Sequence, residues 1–100
     1  MMNKKMAKLN FEAFRIPTGI RRTDYMVMDA REGIADMIYL NAGGIKAHRL
    51  AFKIFESKGE TDYDDAEVRM IRENIERMGL GNVIDALNEQ LNKQTEETEK

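Results

Sequence analysis

The chain has no cysteine, no tryptophan, one proline, one histidine and one serine in 100 residues. Without cysteine it forms neither disulfides nor thiolate metal sites, a composition suited to a reducing compartment, so a cytoplasmic location is expected. With one imidazole and no thiolate, a tetrahedral zinc centre lacks its usual ligands. Nucleophilic catalysis fares no better: Ser57 lies near a helix end and outside any nucleophile-elbow pattern. Long apolar runs are missing too. Tyr25 to Met28 and Met37 to Leu40 are the longest, at four residues each, whereas a membrane span needs about 20; no membrane partner is expected. The opening MMNKKMAKLNFEAFRIP carries lysines but not the apolar core and small-residue cleavage site of a secretory leader.

What is present suits one compact domain. Apolar residues make up 42% of the chain, and the net charge is only −2. The charge is unevenly spread. Residues 1–28 carry six basic side chains against two acidic ones, while residues 59–100 carry five basic against twelve acidic. Such polarity can attract nucleic acid or a matched partner, and it can equally draw the two ends of one fold together.

Local patterns predict an α+β domain, mostly α, with about four helices and an N-terminal β-hairpin, over residues 1–93. The hairpin is expected at about 9–28, from Phe11, Phe14, Ile16, Ile20, Tyr25, Val27 and Met28 flanking the turn signal IPTGI, with Pro17 and Gly19 in a type I turn. Helices are expected at about 30–41, 45–57, 65–78 and 83–93. For the first, Asp29 and Glu32 have capping-box spacing. Gly43 and Gly44 suit a left-handed helix end. The second helix, with Ala47, Leu50, Ala51, Ile54 and Phe55 on one face continued by Ile45, His48 and Phe52, should be the most buried, leaving Lys46, Arg49, Lys53 and Glu56 for solvent. Asp64 and Glu67 form another capping box before the third helix, with Tyr63 and Val68 as a hydrophobic staple. That helix presents a seam of Val68, Ile71, Ile75 and Met78, and Gly79 with Leu80 suggests a Schellman stop. Asn82 should cap a fourth helix with Val83, Ile84, Leu87 and Leu91 as its stripe. The acidic segment 94–100 has no apolar residue and is expected to be disordered.

Chemistry-bearing motifs fail on inspection. In AGGIKAHR, residues 42–49, no strand precedes Gly44 and Ala47 stands where a phosphate loop needs a hydroxyl; only the N–H groups after Gly44, with Lys46, could receive an anion. His48 lies beside Phe52 and Phe55 on the wheel, a half-buried structural histidine. FESKGETDYDDAEV resembles a calcium loop, but Lys58 falls at ligand position 3 and Thr61 where glycine is required. No catalytic, cofactor or metal residue is assigned, and the chain is not expected to be an enzyme.

Two binding readings remain. The first is a protein–protein interaction or regulatory module, as a homodimer or with another protein. It rests on a hairpin too small to stand alone, a narrow third-helix seam and eight methionines that offer adaptable apolar surface. The alternative is a nucleic-acid-associated protein using Arg15, Arg21 and Arg22 around the hairpin tip and the stripe Lys46, Arg49 and Lys53. Helix-turn-helix spacing does not support the alternative, since Tyr39 takes the turn-glycine position and Asp85 and Glu89 follow the second candidate turn.

Overall fold

A computed structural model describes residues 6–79 and 81–98. Among these, strands β1 (Met6–Leu9), β2 (Phe14–Pro17), β3 (Tyr25–Met28) and β4 (Thr61–Asp64) accompany helices α1 (Arg31–Asn41), α2 (Ile45–Glu56), α3 (Asp65–Met78) and α4 (Gly81–Thr98). The fold is α+β and mostly α. No helix among the described residues is long and apolar enough to cross a membrane.

The strands form two separate antiparallel pairs. β2 and β3 make the expected hairpin, with Phe14 opposite Met28 and Pro17 opposite Tyr25. β1 pairs instead with β4, Ala7 opposite Tyr63. This pairing spans more than 50 residues of sequence and shortens the hairpin from the expected 9–28 to Phe14–Met28. Pro17 ends β2 rather than entering the turn; the tight turn is Gly19 to Arg22, closed by Arg22 N–H donating to Gly19 O at 2.9 Å. Arg22 takes φ +57°, a left-handed conformation that costs a non-glycine residue about 1–2 kcal/mol.

Side chains of every element except β3 meet in one core. Leu9, Phe11, Phe14 and Tyr63 are fully buried with Ile38, Ile54, Ile71 and Ile75. Phe11 packs 5.4 Å from Phe14 and edge-on to Tyr63 at 5.9 Å, favourable aromatic geometry. Its carbonyl accepts Ala30 N–H at 2.7 Å, tying the start of α1 to the segment between β1 and β2. Gln90 of α4 clamps the Asn10 backbone from both sides, accepting its N–H at 2.9 Å and donating to its carbonyl at 3.2 Å. These bonds satisfy backbone between strands that no ladder reaches.

Helix ends show where local signals hold. The Asp64–Glu67 capping box forms in both directions, at 2.8 and 2.9 Å. At α1, however, Ala30 takes the N-cap position with no side-chain cap bond. The Asp29 carboxylate is taken up by Arg31, accepting its backbone N–H at 3.1 Å and two guanidinium bonds at 2.7 and 2.9 Å. Gly44 does adopt a positive φ of +97°, but as the N-cap of α2; α1 ends at Ala42 in extended conformation. Gly79 is extended too, at φ −88°, so the Schellman expectation fails; Leu80 lies outside the described residues. Glycine is needed there for space, because a Cβ would fall 2.6 Å from the Ile75 carbonyl oxygen. α3 buries Ile71, Asn74 and Ile75 and leaves Met78 half-exposed. Asn82 sits inside α4 and donates to Pro17 O at 3.3 Å instead of capping. α4 also runs past the expected end at 93, continuing through Thr98; residues 99–100 lie outside the described residues.

Candidate functional site

The six basic residues read as a nucleic-acid surface divide into two groups. Arg15 lies over the Tyr25 ring at 3.6 Å and 3.7 Å from Glu89, and Arg22 is 3.6 Å from Asp85. Lys53 donates to both oxygens of Glu67, at 2.9 and 3.1 Å, and sits 4.6 Å from the Tyr63 ring centre. Arg21, Lys46 and Arg49 are exposed and form no ion pair among the described residues. The basic N-terminal region and the acidic C-terminal helix thus meet inside one chain. Glu89 also accepts the Tyr25 hydroxyl at 3.0 Å, and this bond holds the phenol above its ordinary pKa.

The AGGIKAHR segment turns one helix into the next. His48 N–H donates to Gly44 O at 3.1 Å, the first helical bond of α2. The His48 ring is exposed rather than half-buried, 5.6 Å from Tyr39 and 5.0 Å from Phe52, with Phe55 elsewhere on the helix. The acidic stretch read against a calcium loop is built differently. Asp64 and Glu67 serve the capping box, and Tyr63 is buried in β4. Among the described residues no group of three or more potential metal ligands converges. Burial pushes the Tyr63 phenol upward, and its hydroxyl has no partner in hydrogen-bonding geometry among the described residues, although Ser57 and Thr61 offset the shift. Arg31 beside Asp29 holds that carboxyl below its usual range.

Among the described residues, two apolar surfaces have a defined shape. The first is β3. By the pleat, Met26 and Met28 share the face of buried Ile16 and Phe14, their register partners, yet they are 46% and 43% exposed; Val27, on the other face, is 62% exposed. The strand overhangs the core, and its outer edge has no neighbour in the two-stranded sheet. Sheet edges are ordinarily guarded by charge or proline. Lys8 stands in β1, Arg15 and Pro17 in β2, and Asp62 and Asp64 in β4, whereas β3 reads Tyr-Met-Val-Met.

The second is a groove of about 240 Å³ between α1 and α2. Ala35 and Ala51 form its floor, Tyr39, Phe52 and Phe55 its aromatic side, and Glu32 and Asp36 its acidic rim. α2 was expected to bury Phe52 and Phe55, but they are 46% and 50% exposed. The small residues Ala47 and Ala51 let the helices approach, so α2 buries only a narrow face with Leu50 and Ile54. A larger concavity, about 370 Å³ between the strands and α4, is lined by Lys8, Arg15, Glu60, Glu89 and Gln90. There Lys8 pairs with Asp62 at 2.9 Å and Arg15 with Glu89, so two of its three cations are already engaged, Lys93 being the third.

Compared with known proteins, the chain matches no family model, and no curated protein or solved structure is similar to it.

Proposed function

We propose that the chain is a non-catalytic, intracellular interaction module that works as a homodimer joined through β3. The unguarded, overhanging edge of β3 carries this reading. An open edge offers a row of N–H and C=O groups that a second strand can pair. Two copies of β3 are suited to each other, because antiparallel pairing opposes no like charges and brings the half-exposed methionines of both copies together. The result is a four-stranded sheet that covers surface the core of one chain does not reach.

Light scattering tests it. Twice the chain mass of 11.6 kDa is expected at high micromolar concentration, and Val27→Lys should give the single-chain mass while circular dichroism stays unchanged. A single-chain mass for the unsubstituted protein would overturn the reading. The nucleic-acid alternative keeps Arg21, Lys46 and Arg49 but finds Arg15, Arg22 and Lys53 engaged by carboxylates of the same chain. Binding of mixed DNA and RNA fragments at low salt, lost in Arg21→Glu and Arg49→Glu, would favour it instead.

A further inference from the structure

The groove between α1 and α2 has a chemistry of its own. Its floor is made of small side chains, Ala35 and Ala51, so backbone lies close beneath a large apolar side chain that rests there. Phe52 and Tyr39 stand nearly perpendicular with ring centres 6.0 Å apart, fixing one another by edge-to-face contact. The aromatic side is therefore braced before anything binds. Across from Phe52, on the same helix as Tyr39, Glu32 and Asp36 are four residues apart on α1 and share one face. Neither forms an ion pair with a described residue, although other acidic side chains of this molecule, including Asp29, Asp62, Glu67, Asp85 and Glu89, do.

Size and charge together select the occupant. At about 240 Å³ the groove is smaller than the roughly 300–1,000 Å³ of small-molecule sites. It suits instead one or two inserted side chains of a helix lying along the seam, the helix-in-groove mode. The acidic rim asks for lysine or arginine one turn from the inserted residue. Among the described residues, α3 and α4 of this chain do not offer that pattern. Met78 is the exposed large apolar residue of α3; Arg77 is its neighbour in sequence, but the positions one turn before it are Asn74 and Ile75, and α4 exposes none.

We infer that this groove receives a basic amphipathic helix of a second protein, a large apolar side chain resting on Ala35 and Ala51 between Phe52 and Phe55 while its cations meet Glu32 and Asp36. This deepens the interaction-module reading by naming a partner chemistry, and it stands on a different surface from β3.

The test uses the full chain and a synthetic helical peptide of leucine and lysine at i, i+3, i+4 spacing. A peptide with glutamate in place of lysine is the control. Titration followed by backbone amide shifts should localise the leucine–lysine peptide to residues 32–39 and 48–55. Glu32→Lys with Asp36→Lys should weaken it about tenfold or more, as should added salt. Phe52→Glu should abolish binding, whereas Glu73→Lys with Glu76→Lys, on exposed α3, should leave it unchanged. Equal binding by the Glu32→Lys, Asp36→Lys protein, equal binding of the glutamate peptide, or shifts centred on α4 would overturn the inference. So would a fall to single-chain mass in Phe52→Glu, because the groove would then be an interface between copies. Failure of the peptide with the two-chain mass intact removes this inference alone; a single-chain mass with the peptide bound removes only the β3 dimer.

Discussion

The β2–β3 hairpin and the α1–α2 hairpin are both antiparallel pairs leaning on one core, yet they meet their surroundings differently. Around the strand hairpin, arginines that looked available for an outside anion are held by α4: Arg15 and Tyr25 by Glu89, and Arg22 by Asp85. On the outer face of the helical hairpin, Glu32, Asp36, Phe52 and Phe55 stay open. Charge in a sequence is therefore a poor guide to a binding surface until its partners within the chain are known. What remains after internal pairing is acidic and aromatic in the α1–α2 groove, basic at Arg21, Lys46 and Arg49, and uncharged at β3.

The comparison breaks most visibly under truncation of its aromatic residues. Phe14→Ala, beneath the strand hairpin at 0% exposure, should cost about 3–5 kcal/mol in urea unfolding. Phe52→Ala, on the open face, should cost under about 1 kcal/mol. Similar losses at the two positions would mean that the α1–α2 face is part of the load of the core. Next in size, Gly44→Ala forces a side chain onto φ +97° and should cost about 1–3 kcal/mol by thermal unfolding. No described atom lies near the new Cβ, so the loss would report backbone strain alone. Smallest is Glu89→Gln, which removes the carboxylate held by Arg15 and Tyr25. The exposed pair contributes little, so stability should change less than in Phe14→Ala or Gly44→Ala. The phenolate absorbance of Tyr25 should nevertheless appear at lower pH, because the anionic acceptor that favours its protonated form is replaced by a neutral one. Tyr63, raised chiefly by burial, should still titrate late. Its sign is unfavourable at high pH: the unfolded phenol ionises first, so folding stability falls as pH rises beyond the ordinary phenol range.

Helices were legible because their signals are local. The apolar spacing of α1 to α4 and the Asp64–Glu67 box lie within a turn or two of the residues they order. The expected Asp29–Glu32 box does not form because Arg31 engages the carboxylate with its backbone N–H and its guanidinium, and spacing rules carry no term for such a neighbour. β4 was harder still: Thr-Asp-Tyr-Asp has one apolar residue and gains its strand character from β1, paired more than 50 positions away. The sites divide in the same way. The apolar β3 run was visible, but its overhang depends on where the core stops. The groove escaped notice because a helical wheel assigns Phe52 and Phe55 to the buried face, whereas Ala47 and Ala51 draw α1 close and leave both rings outside.

The most direct test of the β3 assembly is amide hydrogen exchange over residues 25–28 at two protein concentrations. Alternate amides of an edge strand point inward to β2 and outward to the vacant side. If two chains join here, both sets are protected at high concentration, and the outward set loses protection on dilution and in Val27→Lys. Outward amides that exchange at unprotected rates in concentrated unsubstituted protein would contradict the account.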